Sequence, residues 1–197
     1  MLLSTLRRAA LVLLMSTLAW PALAATTLDF GGDPNALGLA LGRIASPAAV
    51  SQDGIALSIR GFDGAMEEAL NRNRGFGLGV DGAPNGGSLG RGEAIEFSFL
   101  GDVLAIDALV LEGGGTGALD VLVDGVLRKT ITWSSNGTRL EDLGGLRGSA
   151  FRFVGQRGGV RIAKLTVEKP VPEPSAALVF VAGLLVASRR MRRGRRR

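Results

Sequence analysis

A hairpin pattern occupies residues 118–133, which read ALDVLVDGVLRKTITW. Alternate residues are apolar from Leu119 to Val123, as is typical of a strand with one face in a core. Asp124-Gly125 then interrupts the apolar run, and this pair favours the positive φ angles of a type I′ turn. The pattern predicts two antiparallel strands joined by a two-residue turn.

The same alternation extends outward along the chain. Ile95, Phe97 and Phe99 alternate with Glu96 and Ser98, so one face of this strand is apolar. With 30 glycines and frequent turn signals between short apolar runs, residues 25–169 predict an all-β domain. We expect a jelly-roll-like β-sandwich of about eight to ten strands. The predicted strands are Thr26–Phe30, Ile55–Phe62, Phe76–Val80, Ala94–Leu100, Leu104–Leu111, Ala118–Val123, Val126–Trp133, Ala150–Val154 and Val160–Glu168.

Three local patterns add detail to this domain. In the last strand the apolar positions change face between Ile162 and Leu165, which predicts a bulge near Ala163-Lys164. Asn136-Gly137 predicts a second turn of the same chemistry as that at 124–125. Asp63–Asn71 predicts two helical turns, with Asp63 as the N-cap.

The composition excludes several kinds of active site. The 197 residues include no Cys and no His, so thiolate nucleophiles, histidine-containing triads and Cys- or His-ligated metals are absent. The glycine clusters at 75–79 and 113–117 lack the Lys-Ser/Thr and the following helix that phosphate-binding loops require. We interpret them as turn glycines.

The net charge of +5 does not indicate a nucleic-acid partner. Nine of the 23 basic residues lie in two terminal groups, so residues 25–169 contain 14 basic and 17 acidic side chains. A nucleic-acid-binding domain needs its cations on the folded surface. Basic clusters beside apolar runs indicate membrane topology instead.

Residues 1–24 have the three parts of a secretory signal peptide. Arg7 and Arg8 form the positive region, and an apolar stretch too short for a membrane span follows. Ala22-Leu23-Ala24 is a small-x-small cleavage site. We expect export, with the mature chain beginning at Ala25.

Residues 170–197 combine a proline-rich spacer, an apolar run and a basic tail. Pro170–Ser175 cannot continue a strand, and Ala176–Ala187 is apolar apart from Gly183. A hydrophobic helix that ends in arginines is typical of a stop-transfer element. This run is shorter than the roughly 20 residues of a comfortable span, which favours a temporary anchor. The stop-transfer residues are Arg189, Arg190, Arg192 and Arg193.

Pro172-Glu173-Pro174, followed by the apolar run and the basic tail, resembles the PEP-CTERM sorting signal of Gram-negative bacteria. The resemblance implies export, transient tethering in the inner membrane, and processing at the motif by an exosortase, a membrane-embedded cysteine transpeptidase. The implied partners are the secretion machinery, the exosortase and the inner membrane, and the implied destination is the cell surface or exopolysaccharide. An ordinary single-pass anchor is the alternative interpretation.

Carboxylates are the acid–base groups that remain. A glycosidase-type mechanism needs two of them facing each other across a cleft, and most acids of a secreted domain are solvated surface. Catalysis by a carboxylate pair is therefore a minor hypothesis, and a non-enzymatic function is favoured. The candidate pairs are Asp29 with Asp33, Glu67 with Glu68, and Glu141 with Asp142.

Two further features are candidates for ligand binding. Asp29–Asn35 offers carboxylate, amide and backbone oxygens of the kind Ca²⁺ prefers, although an Asx turn at Asp33-Pro34 explains the same residues. No other cofactor is expected. Trp133 ends a predicted strand, and it is either a ligand contact at a loop rim or a core residue.

These patterns predict an exported, non-enzymatic protein of the cell surface or extracellular matrix. The alternatives are a lectin-like carbohydrate-binding module and, with less support, a carboxylate-dependent polysaccharide hydrolase or lyase.

Overall fold

The computed structural model describes residues 23–33, 37–82, 87–101 and 104–170. Within these ranges the protein is all-β, and residues Ala25–Lys169 form one compact unit. No helix in the described ranges is long and apolar enough to cross a membrane. The strands are β1 (Leu23–Asp29), β2 (Gly42–Ile44), β3 (Ala48–Gln52), β4 (Ile55–Asp63), β5 (Met66–Glu68), β6 (Leu70–Asn73), β7 (Gly77–Val80), β8 (Glu93–Phe99), β9 (Leu104–Val123), β10 (Val126–Trp133), β11 (Gly137–Gly148) and β12 (Ala150–Pro170).

The two longest strands, β9 and β12, each take part in both layers of a nearly closed β-sandwich. The first part of β12 pairs with β8 and with residues 118–123 of β9, whereas its last part pairs with residues 105–114 of β9. Lys169 donates from Nζ to the carbonyl oxygen of Gly54, and Phe99 donates from its amide to Ser149 O. Both ends of β12 therefore lie at the same end of the sandwich, which means that the strand folds over on itself.

The β10–β11 segment follows the same bent path. β10 pairs with the last part of β9 and β11 with its first part, both antiparallel. Sheet A is therefore β3-β4-β8-β12-β9-β10, and sheet B contains β2, β6, β7, β1, the last part of β12, the first part of β9, and β11. The three strands bend at what we call the corner, which comprises Gly113–Gly117, Ser134–Asn136 and Gly155–Gly159.

Glycines allow the strands to bend and to approach each other at the corner. A Cβ on Gly117 would lie 2.0 Å from Trp133 Cζ2, so only glycine lets the indole pack against this backbone. Gly158 has a φ of 74°, which L side chains rarely adopt. The glycine cluster at 113–117 consequently belongs to a bent strand rather than to a phosphate loop or an ordinary turn.

The core lies between the two sheets and is rich in phenylalanine. Phe97 and Phe153 of sheet A meet edge to face at 5.7 Å, as do Phe99 and Phe151. Phe30, which follows β1 of sheet B, lies 5.5 Å from Phe97 and so joins the layers. Each fully buried phenyl ring contributes about 1.5–3 kcal/mol of transfer free energy.

Several sequence predictions are confirmed. The register of β9 and β10 places Asp124-Gly125 in a two-residue turn with φ angles of 49° and 78°. Hydrogen bonds from the Ala150 and Ser149 amides and the Ser149 hydroxyl lower the pKa of the Asp124 carboxyl. The register of β12 shifts between Ile162 and Lys164, where the bulge was predicted.

Two local predictions are wrong. Asp63–Asn71 forms the end of β4, a turn, β5 and the start of β6, because strand pairing with β4 and β7 outweighs a short stretch of helix-forming residues. Asn136-Gly137 does not reverse the chain, since β10 and β11 run in the same direction along β9. The twelve strands of the described residues also exceed the predicted eight to ten, since β2, β3, β5, β6 and β11 had no recognised pattern.

Candidate functional site

The outward surface of sheet A carries a row of charged side chains across adjacent strands. Arg60 of β4 pairs with Glu96 of β8, and Glu96 pairs with Arg152 of β12. Paired residues point to the same side of a sheet, and their neighbours Ile59, Phe97 and others point into the core. We call Arg60, Glu96 and Arg152 the charged row.

The charged row has hydrogen-bonding capacity that the protein does not use. In the part of the chain that the structure describes, no ion pair of 4 Å or less joins Glu96 to either arginine, although they alternate in sign. Glu96 accepts a 3.3 Å hydrogen bond from Ser98 Oγ, and Arg60 is exposed. Neighbouring strands are about 4.8 Å apart, so the arginine Cα atoms are separated by about 10 Å with a carboxylate between them.

An aromatic ring positions one end of the row. The Arg152 guanidinium lies 4.4 Å from the centre of the half-buried Phe62 ring, and its Nη2 donates to Gly64 O at 3.4 Å. A cation on an aromatic face gains about 0.5–1 kcal/mol at an exposed site. Phe62 therefore holds the half-buried Arg152 against the sheet.

A second polar cluster lies one step along the sheet. Asp120 of β9 accepts hydrogen bonds from Thr130 Oγ1 at 2.6 Å and from Gln156 Nε2 at 2.8 Å. Val154, which pairs with Asp120, places this cluster next to Arg152 on the same strand. The amide and hydroxyl groups of Gln156 and Thr130 are exposed.

Apolar side chains continue the row on the other side of Arg152. Leu122 pairs with Arg152, and Leu127 of β10 pairs with Leu122. Leu127 is 55% exposed, which is unusual for a leucine in a sheet. We call the surface formed by the charged row, the Asp120 cluster, Phe62, Leu122 and Leu127 the polar face; it combines donors, acceptors and an apolar platform.

Sequence reasoning missed the polar face. The alternation around Phe97 indicated that Glu96 points outward, but nothing in the chain places residues 60, 96 and 152 side by side. That arrangement depends on strand register, which only the folded sheet supplies.

The structure places Trp133 in the core instead of at an open rim. Its ring is 7% exposed and packs on Gly117, with the Arg139 guanidinium 5.1 Å from the ring centre. Its Nε1 has no hydrogen-bond partner among the described residues. The interpretation of Trp133 as a ligand contact is therefore replaced by the core interpretation.

The proposed calcium loop is already occupied by an arginine side chain. Asp29 forms an ion pair with Lys164 at 2.7 Å and accepts the Gly31 amide in an Asx turn, which was expected at Asp33 instead. The buried guanidinium of Arg72 donates to four backbone oxygens of this region, those of Phe30, Gly32, Asp33 and Leu39.

Burial lowers the pKa of Arg72, while Asp29 and Asp33 act in the opposite direction. A guanidinium thus takes the carbonyl oxygens that a calcium ion would need. Within the described ranges, no three Asp or Glu side chains converge to hold a metal ion.

The carboxylate pairs proposed for catalysis are used in local structure. Glu67 accepts the Ser46 hydroxyl at 2.6 Å, and Glu68 accepts the Ala69 amide and contacts Arg43 at 3.6 Å. Glu141 and Asp142 are consecutive in β11, so their side chains point to opposite sides of the sheet.

Most sorting residues fall outside the described residues. These are Ala22, Pro172, Glu173, Pro174 and the arginines from Arg189 onward. Ala24 and Ala25 lie in β1.

Comparison with known proteins gave structural similarities only. No protein-family model matches the chain, and no curated protein matches it. Two solved structures of a family 29 carbohydrate-binding module, one of them a point mutant made to probe ligand recognition, each align with 74% of this chain. The mutant is 16% identical over 93% of its own chain, and the other is 14% identical over 89%, both with a TM-score of 0.33. At these values the similarities assign neither family nor ligand to this chain.

Proposed function

We propose that this chain is an exported, non-enzymatic protein that binds a polysaccharide through the polar face while a C-terminal anchor tethers it to the inner membrane. The observation that carries the binding proposal is the charged row, in which Arg60, Glu96 and Arg152 lie side by side and form no ion pair with one another or with another described residue.

The chemistry of the polar face suits a sugar chain. Sugar hydroxyls both donate and accept hydrogen bonds, while an arginine only donates and a glutamate only accepts. Alternating Arg and Glu therefore supplies both kinds of partner in one row. Leu122 and Leu127 provide an apolar surface for the C–H face of a sugar ring. An open sheet face also suits an extended polymer better than a small molecule, which needs a concave pocket.

The export and anchoring part of the proposal rests on the terminal sequences. The signal-peptide pattern of 1–24 supports passage across the inner membrane. Pro172-Glu173-Pro174 with its apolar run and basic tail supports transient tethering and exosortase processing, which would place the domain at the cell surface or in exopolysaccharide.

Titration with purified polysaccharides, including the host's own exopolysaccharide, tests the binding proposal. Glu96→Ala and Arg60→Ala each remove a charged hydrogen-bonding group that has no ion-pair partner in the described structure. Loss of one such bond should weaken binding by about tenfold or more. Arg74→Ala, an exposed arginine in the β6–β7 turn, is the matched control and should bind as the unmodified chain does. Wild-type affinity in both row variants would contradict the proposal, as would binding to no polysaccharide.

Fractionation tests the anchoring proposal separately. Deletion of Pro172–Arg197 should convert a membrane-associated protein into a freely soluble periplasmic one. Mass spectrometry of the protein from its host should show cleavage after Ala24 and processing near Glu173. Unchanged membrane association of the deletion variant would show that anchoring lies elsewhere.

A further inference from the structure

The mature chain starts and ends at the same end of the sandwich. β1 contacts β12 through Thr27 with Thr166, Asp29 with Lys164, and Phe30 with Ala163. Each step forward in β1 is a step backward in β12, so the strands are antiparallel and position 25 lies beside position 168. We call this the exit end.

Apolar side chains project from the exit end. Leu100, just after β8, is 67% exposed, and Val126, just after the β9–β10 turn, is 51% exposed. Both belong to the exit end because Ser149 O accepts the Phe99 amide and Ala150 O accepts the Asp124 amide. Leu100 also lines a shallow pit with Gly54, Leu104 and Lys169, so the last residue of the domain borders this apolar surface.

In the sequence, only a short segment separates the exit end from the proposed anchor. Five residues, 171–175, separate Pro170 from the apolar run that begins at Ala176. In a polyproline conformation they span about 15 Å, at about 3.1 Å per residue. A tether this short gives a high effective concentration, so contacts that are weak in free solution become populated.

We propose that the exit end rests on the lipid bilayer while the chain is tethered, with Leu100 and Val126 at the headgroup boundary. This inference rests on the anchoring part of the proposed function. The strands of sheet A run between the exit end and the corner, so they would then lie roughly perpendicular to the membrane plane. The polar face would remain open to polysaccharide.

The charges around the exit end are compatible with a headgroup layer. Arg128 and Arg147 are exposed, and Lys169 lies at the chain exit. Among the described residues, the acids there are Asp53, Glu168 and Asp124, and the Asp124 carboxylate faces Ser149 and Ala150. Because basic and acidic side chains are both present, net charge does not drive binding to the bilayer. Insertion of the apolar side chains provides the binding energy, and the basic groups can contact lipid phosphates.

Site-specific labelling of the full chain in vesicles tests this inference. The chain has no cysteine, so Leu100→Cys and Val126→Cys each accept a single polarity-sensitive dye. The vesicles contain phosphatidylethanolamine and phosphatidylglycerol, with or without brominated lipid as a quencher. Met66→Cys is the matched control, because Met66 is 71% exposed and begins β5, directly after the β4–β5 turn at the opposite end of sheet A.

The inference predicts a blue-shifted emission and loss of intensity to brominated lipid at positions 100 and 126 but not at 66. Adding Leu100→Ser to the Val126→Cys chain should return the emission toward that of water-exposed dye, with circular dichroism unchanged. Water-like emission at all three positions in vesicles that carry the protein would overturn the inference while the anchoring proposal stands. If the full chain fails to float with vesicles, the anchoring proposal and this inference both fall.

Discussion

At the scale of single residues, Arg72 fixes the loop that follows β1. Its side chain is 1% exposed and donates to four backbone oxygens between Phe30 and Leu39. Without the guanidinium the buried oxygens of Phe30 and Leu39 would lose this partner, and each unsatisfied buried group costs about 1–3 kcal/mol. Asp33 and Asp29 lie close enough to favour its charged form. The Arg72 guanidinium thus binds the backbone oxygens of this loop, as a bound metal cation would.

Arg72→Lys should destabilise the domain by about 2–4 kcal/mol, because a single ammonium cannot reproduce the fork geometry of the guanidinium. Urea unfolding followed by circular dichroism measures this change. Arg74→Lys, two residues along and exposed, should stay within about 0.5 kcal/mol of the original chain. Equal effects of the two substitutions would show that the Arg72 hydrogen bonds do not stabilise the loop.

At the scale of elements, the corner decides how β9, β12 and the β10–β11 segment each pass from one layer to the other. Gly117 lies in β9 and Trp133 at the end of β10, and they pair directly across the bend. The indole occupies the space where a Cβ on Gly117 would lie. Gly117 and Trp133 therefore form one packing unit, and the indole leaves no room for a side chain at position 117.

Gly117→Ala should cost about 1–3 kcal/mol through overpacking. Combined with Trp133→Leu, which removes the clashing ring atoms, it should cost less than the sum of the single changes, with a coupling of about 1 kcal/mol or more. Gly114→Ala is the control, because its Cβ would be 3.6 Å from the nearest atom, an ordinary contact. Additive free energies of unfolding in the double variant would contradict direct packing between the two sites.

At the scale of the whole molecule, β12 connects the layers. Its first part pairs with β8 and its last part with β9, with further contacts to β1 and β7. The bulge at Ala163 lets both halves of the last segment face the core, and the Ala163 oxygen accepts the amides of Phe30 and Gly31. The strand runs to Pro170, so the proposed sorting motif begins only two residues after the strand ends.

A chain ending at Pro170 should fold as the full chain does, because residues 171–197 lie outside the compact unit. A chain ending at Gly159 should lose cooperative unfolding, because it lacks the strand segment that pairs with Ala105–Gly113. Limited proteolysis and thermal unfolding distinguish the two. A protease-resistant, cooperatively melting chain that ends at Gly159 would show that sheet B does not need this segment.

The sequence by itself determined the all-β class, the turn at Asp124-Gly125 and the bulge in the last strand, since each depends on residues close together in the chain. It also excluded histidine and cysteine chemistry, because the absence of both residue types can be read from the composition without knowing the fold. Only the tertiary structure decided that 113–117 is a corner, that Trp133 is buried, and that Arg72 fills the loop proposed for calcium. The same holds for the charged row, where Arg60, Glu96 and Arg152 meet. The physical reason is register: residues far apart in sequence become neighbours through backbone pairing, and no local pattern encodes which strands will pair.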